Sequence, residues 1–279
     1  MGSTSPHSLL LQGHRRVRRS YITFGGAAYD RTIALIVAEA PRLGADDVLV
    51  YDDRFILDHD FYRVNFDWWH RPDTKYGHAN RGFGWFIWKP FVILHALERM
   101  QPGDLLLYTD ADTYPIADLS VLYEQCVKDG MGALFFAAQG CTHAHWCKRD
   151  TLLVMGQDTP HARLDRQHAV ARFMVFEAGS WRSKQLLIEW LAYCLNPLAN
   201  TFDRSRILAE YPELHEPRCE QAILTNLAHK YGYKLYREAC QAGMAADEDK
   251  DLYQQLFVQL DNATDKTEFS GSKYRNVIA

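Results

Sequence analysis

The sequence predicts an α/β domain built on a mainly parallel sheet flanked by helices, and three observations predict it. A β-rich run, Ser20-Tyr21-Ile22-Thr23-Phe24, leads through a helical stretch to a second short strand, Asp47-Val48-Leu49-Val50-Tyr51. That is the βαβ unit from which parallel sheets with right-handed crossovers are made. Leu105-Leu106-Leu107-Tyr108-Thr109 is unbroken apolar sequence, as a central strand covered on both faces requires. Residues 183–195 carry Leu186, Leu187, Trp190, Leu191 and Cys194 on one stripe, the pattern of a helix with one face on a sheet.

The elements follow in order. Residues 1–19 form a polar, basic arm containing His14-Arg15-Arg16-Val17-Arg18-Arg19. Gly25-Gly26 stops the first strand. Helical periodicity runs over 29–43, with Ala34, Leu35, Val37 and Ala38 toward the sheet and Pro41 and Gly44 ending it. Residues 54–80 are aromatic and charged with little period. Gly82-Phe83-Gly84-Trp85-Phe86-Ile87-Trp88-Lys89-Pro90 leads into a helix ending near Met100, and Pro102-Gly103-Asp104 turns the chain into the central strand. Helix is expected near 119–129, strand over 132–138 and 171–177, helix over 219–231, and a late strand over 256–260. No repeat or low-complexity linker divides the chain. It reads as a single domain in two halves, 20–120 and 121–260, with a polar tail over 261–279.

Composition excludes several classes. A net charge of -4 leaves no overall basic footprint for nucleic acid. The one basic cluster is a solvated arm or a contact with an anionic membrane surface or with phosphates. No apolar stretch approaches the ~20 residues of a spanning helix. The six cysteines form no CxxC pair and read as reduced thiols of a cytoplasmic protein.

The chemistry centres on Asp110-Ala111-Asp112, directly after the central strand. Ligands of open α/β sheets bind outside the carboxyl ends of strands. Two carboxylates one residue apart at such a turn can share a hard cation, Mn²⁺ or Mg²⁺, whose usual task is to hold phosphates. The plain alternative is that both aspartates only cap a turn or a helix.

Tyr108-Thr109-Asp110-Ala111-Asp112 resembles the strand-then-DxD signature of GT-A glycosyltransferases. Tyr21-Ile22-Thr23-Phe24-Gly25-Gly26-Ala27-Ala28-Tyr29 resembles their nucleotide-binding first strand and loop. The segment from Gly82 to Pro90 resembles a GYGYWxWKP stretch of bacterial enzymes of surface-polysaccharide type, Cys147-Lys148-Arg149-Asp150 their TKRD stretch, and Glu220-Gln221-Ala222-Ile223-Leu224 their DQSIL helix start. These stretches cover most of 20–232 in the order such proteins show. The resemblance implies a Rossmann-like, mixed sheet. It implies transfer of a sugar from a nucleoside-diphosphate sugar, with a UDP-sugar as donor, to a saccharide or glycolipid. Matched positions take roles accordingly: Thr23, Phe24 and Tyr29 around the base, and Asp52 or Asp53 at a ribose or base edge. Asp112 is the direct metal ligand, with Asp110 on ribose or a metal-bound water, and Lys89 and Gln221 lie on the donor. A third ligand, often His in these enzymes, has no counterpart after His229, which leaves Asp247, Glu248, Asp249 or water.

In an inverting transfer a carboxylate deprotonates the acceptor hydroxyl. Glu220, at the start of a predicted helix, is the candidate, with a plain first-turn role as the alternative. Lys148, Asp150, Glu177 and Trp181 are candidates for acceptor contact, with structural roles as the alternative. Cys141-Thr142-His143-Ala144-His145-Trp146-Cys147 places soft ligands at alternate positions, but as a strand they would span ~20 Å, too far for one zinc ion. An active-site loop with His143 or His145 near a sugar hydroxyl is expected instead. The rival readings are a nucleotidylyltransferase, for which Gly25-Gly26-Ala27-Ala28 lacks the basic glycine-rich loop, and a non-catalytic carbohydrate-binding protein.

Overall fold

The structure, a computed structural model, describes residues 15–71, 82–243 and 254–259. Its strands are β1 (Arg19–Phe24), β2 (Asp47–Tyr51), β3 (Leu105–Asp110), β4 (Thr113–Pro115), β5 (Ala133–Thr142), β6 (Gln167–Ala169), β7 (Phe173–Glu177), β8 (Leu235–Tyr236) and β9 (Phe257–Gln259). The main sheet runs β2-β1-β3-β7-β5-β6, with β8 also on β5, while β4 pairs with β9 in a separate ribbon. β1 lies parallel between β2 and β3, and β8 is parallel to β5. β7 is antiparallel to both β3 and β5, and β6 is antiparallel to β5. Thus β1, β2, β3, β5 and β8 run one way and β6 and β7 the other: the mixed, mainly parallel, helix-flanked sheet that the sequence predicts.

Strict alternation of side chains divides the core between the two faces of this sheet. Ile22, Phe24, Leu106, Tyr108, Phe135, Met174 and Phe176 point to one face, under the helices Trp88–Leu97, Trp181–Cys194 and Cys219–Lys230. Tyr21, Leu105, Leu107, Leu134, Phe136, Phe173 and Val175 point to the other, under Asp30–Glu39, Ser120–Asp129 and the β4–β9 ribbon. Leu106 and Leu107 are fully buried, and each such side chain contributes about 1.5–3 kcal/mol on removal from water.

Residues 53–70, without clear period in the sequence, form three short helices, Asp53–Asp58, Asp60–Val64 and Phe66–His70. The basic run is only partly a solvated arm. Arg15, Arg16, Arg18 and Arg19 pair with Asp104, Asp46, Asp47 and Glu124 at 2.7, 2.6, 3.0 and 3.4 Å, so acids of the same edge match much of its charge. Residues 1–14 and the tail over 261–279 lie outside the described residues. All six cysteines are free thiols. Among the described residues no helix is long and apolar enough to cross a membrane.

Candidate functional site

The order β2-β1-β3 makes the gap between β1 and β3 a switch point, since the chain leaves β1 toward one side and returns on the other. Phe24 and Asp110 are partners in register there. At the carboxyl ends of these strands lies a cleft of about 590 Å³ whose walls include Phe24, Gly25, Tyr29, Asp53, Phe86, Trp88, Asp110, Ala111, Asp112 and Arg218. A Cβ on Gly25 would stand 2.7 Å from the Cβ of Ala111, so the loops after β1 and β3 cross in contact and only glycine fits. A smaller recess of about 160 Å³ adjoins the cleft and shares Phe86, Asp110 and Arg218 with it; its inner wall holds Lys89, Arg172, Glu220, Gln221 and Gln259.

One wall is a strained turn. Phe83, Gly84, Trp85 and Phe86 all have positive φ, at 48°, 76°, 60° and 61°. Left-handed conformation costs a non-glycine residue roughly 1–2 kcal/mol, and packing holds it here. Trp85 is buried, its carbonyl accepts from Asn200 Nδ2 at 3.1 Å, and a Cβ on Gly84 would lie 2.3 Å from the Trp69 ring. The turn delivers Phe83 and Phe86 to the cleft, where Phe24 stacks on Trp88 with centroids 3.8 Å apart.

Lys89 sits beneath both cavities, 2% exposed. Its Nζ lies 3.0 Å from Asp110 Oδ1 and 3.3 Å from Glu220 Oε1, and donates to the Ala171 carbonyl at 3.0 Å. Burial alone would lower this ammonium; the Asp110 and Glu220 carboxylates outweigh it and hold the pKa above its ordinary value. Glu220 is pushed up by burial, against the opposing Lys89. Tyr108 donates to Asp110 Oδ1 at 2.5 Å. Asp110 is therefore already bonded twice. Asp112 accepts only from Thr113 Oγ1, at 2.9 Å, among the described residues. Burial, then the neighbouring Asp110 charge, raises Asp112 to about 6.

This donor set fits one divalent cation through Asp112, with Asp110 beside it: hard oxygens, one of them uncommitted, and a crowding of negative charge that a dication would relieve. No group of three His, Cys, Asp or Glu side chains able to hold a metal occurs among the described residues. Asp247, Glu248 and Asp249 lie outside those residues.

Of the other expected site residues, Phe24, Tyr29, Ala111, Lys89, Glu220 and Gln221 line the cleft or the recess. Thr23 does not. It is fully buried on β1, and the strand's alternation turns it to the face of Tyr21, away from Phe24. Asp52 accepts from Phe55 N at 2.8 Å and caps a helix, and Asp53 takes its place in the cleft wall. Lys148 is buried and donates to Thr201 Oγ1 at 2.7 Å, and Asp150 is buried and accepts from Arg206 N and Ile207 N at 2.7 and 3.0 Å. Both organise the chain over 200–211 and neither lines a cavity of the site. Glu177 and Trp181 stand at the wrong end of the sheet: β7 is antiparallel to β3, so Glu177 pairs with Leu105, the start of the strand that ends in Asp110. In the Cys141–Cys147 stretch His145 is half-buried, with its Nδ1 3.1 Å from Thr142 Oγ1, and His143 lines neither cavity of the site. His143 is fully buried and bonds His168 and Asn226, each at 3.0 Å.

Two site arginines escaped the sequence reading. Arg172 lines the recess because β7 runs backward and brings its first end to Asp110, whose N donates to the Arg172 carbonyl at 2.7 Å. Arg218 precedes the Glu220 helix by one residue, and its nearness to a candidate base was the available signal.

No family model matches the chain, and no curated protein matches it. Solved structures similar to it include mouse xyloside xylosyltransferase 1 in its apo form, at 10% identity and a TM-score of 0.44 over 88% of this chain and 98% of that one. The glycosyltransferase GlyE of Streptococcus pneumoniae TIGR4 is similar at 14% identity and a TM-score of 0.47 over 94% of this chain and 59% of that one. The bifunctional glycosyltransferase WbbM is similar at 12% and 0.45 over 83% and 40%. At such values the likenesses do not bear on what this chain does.

Proposed function

We propose that the chain is a metal-dependent glycosyltransferase that takes a nucleotide-sugar donor, a UDP-sugar, and a saccharide or glycolipid acceptor. The observation that carries the reading is the placement of Asp110 and Asp112 at the switch point, both on the wall of the larger aromatic cleft and Asp110 also on that of the smaller polar recess. The cleft suits a nucleotide, with Phe24, Tyr29 and Phe86 for the base and Asp53 for a ribose hydroxyl. The recess suits one sugar ring, with Glu220 and Gln221 on its inner wall. Mn²⁺ or Mg²⁺ on Asp112 would neutralise the departing diphosphate. Lys89 fixes Asp110 and Glu220 in place, and Glu220, if the transfer inverts, receives the acceptor's proton.

Thermal shift with UDP-, GDP- and CMP-sugars in the presence of Mn²⁺ identifies the donor, because a ligand stabilises only the state it binds. Asp112→Ala is expected to abolish Mn²⁺-dependent donor binding in calorimetry while the unfolding transition stays native; normal binding and turnover in that variant would remove the metal from this site. Glu220→Gln is expected to cut turnover by about a hundredfold or more at unchanged donor affinity, the effect of losing a general base. Full turnover would take the base role from Glu220.

A further inference from the structure

Among the described residues, Arg218 is the uncommitted cation of the site. Of the basic side chains that line the two cavities, Lys89 is held between Asp110 and Glu220, and Arg172 pairs with Glu238 at 3.2 Å. Arg218 lines both cavities and makes no ion pair among the described residues.

Its position is nonetheless built. The guanidinium lies over the Trp146 ring, 4.4 Å from the centroid, and the Trp146 carbonyl accepts from Arg218 N at 2.9 Å. His215 N and Glu216 N both donate to the His145 carbonyl, at 2.9 and 3.2 Å, so the stretch before Arg218 is laced to the helix His143–Trp146. The His215 ring stacks on His145 at 4.2 Å and meets Trp146 edge-on at 6.0 Å. The next residue, Cys219, is buried with φ 44°. A left-handed, non-glycine residue is strained, and such strain gathers where function needs an unusual chain path. Here it turns the chain between two consecutive tasks, Arg218 at the rim of the cleft and Glu220 inside the recess.

Charge decides what Arg218 holds. Asp110, Asp112 and Glu220 against Lys89 leave the site negative, and one dication can offset either this surplus or the two charges of the donor's diphosphate, not both. An anionic acceptor would meet this surplus as repulsion. Resting on the donor reading above, we propose that Arg218, seated on Trp146, binds the diphosphate of the nucleotide sugar and stabilises it as leaving group. When the bond from the anomeric carbon to the phosphate oxygen breaks, the electron pair stays on that oxygen and the diphosphate gains a charge. The acceptor oxygen forms the new bond and gives its proton to the Glu220 carboxylate in the recess. A cation at the diphosphate is therefore worth more in the transition state than in the ground state. Trp146 is a positioning residue that acts through Arg218.

The test is calorimetry with Mn²⁺ and UDP, GDP, CDP or ADP, whichever the wild type binds, beside the parent nucleoside. Arg218→Gln is expected to weaken the nucleoside diphosphate by on the order of tenfold to a hundredfold, as loss of a charge-assisted bond does, and to leave nucleoside affinity and the unfolding midpoint unchanged. Trp146→Leu weakens the same ligand less and adds nothing on top of Arg218→Gln, whereas Trp146→Phe keeps affinity. Equal diphosphate affinity in wild type and Arg218→Gln overturns the inference and leaves the donor reading standing. So does an equal loss of nucleoside and nucleotide, which would mark a structural role. If the wild type binds none of these diphosphates, the donor reading falls and this one with it.

Discussion

Lys89 carries a charge into an interior where only 2% of its surface meets solvent, and its surroundings explain why it is tolerated. Asp110 and Glu220 share its three donors with the Ala171 carbonyl, and Phe86, Trp88 and Tyr108 present their rings to it at 5.6, 5.8 and 5.7 Å. Its removal would leave two carboxylates confronting one another in the recess. Breaking a buried pair from one side costs about 3–5 kcal/mol, much more than the pair contributes against an apolar replacement. Lys89→Met is therefore expected to lower stability by about that amount in urea denaturation, and to recover a substantial part when combined with Glu220→Gln, which removes the stranded charge. An unchanged midpoint in Lys89→Met would mean that the ammonium does not hold the two carboxylates together.

Among the elements, those with strong period were legible and those whose meaning depends on a distant partner were not. β1, β2 and β3 follow from apolar runs ended by glycine or acid, and β3 is central because both of its faces are apolar. The DxD position came with it, since a strand's carboxyl end is fixed once its direction is known. The direction of β7 is not written in Phe173-Met174-Val175-Phe176, which would be equally apolar either way up. That ambiguity put Glu177 and Trp181 in the site and left Arg172 out. The short helices over 53–70 and the helix Arg149–Val154 were missed because pieces of five or six residues show too little of a 3.6-residue repeat. Asp52 and Asp150 were misread for a related reason: a carboxylate capping a backbone turn and one facing a ligand look alike in sequence.

At the scale of the whole molecule, the recess is anchored to the far half of the sheet by a buried polar chain. His143 Nε2 meets Asn226 Oδ1 and must donate, so its Nδ1 accepts from His168 Nδ1, and both rings are neutral. Asn226 belongs to the helix Cys219–Lys230, which carries Glu220, and His168 to β6. Burial lowers His143 to about 3 and His168 well below its ordinary value. Below pH ~6.5 the unfolded chain takes up protons that the native rings refuse, so stability is full above that pH and falls as pH drops, by up to about 1.4 kcal/mol per unit for each ring. His95, lowered to about 4 by burial and by Arg99, acts in the same sense. Asp112, raised to about 6, acts in the opposite sense between that pH and ~3.8 and returns part of the loss. Comparison with a single-ring variant separates these contributions. From pH 6.5 to 5.0 the stability of His168→Gln should fall by about 1.6 kcal/mol less than that of the wild type, measured by urea denaturation at each pH. Parallel pH profiles for the two proteins would show that His168 takes up its proton in the native state, and that the Glu220 helix is not tied to β6 through a neutral imidazole pair.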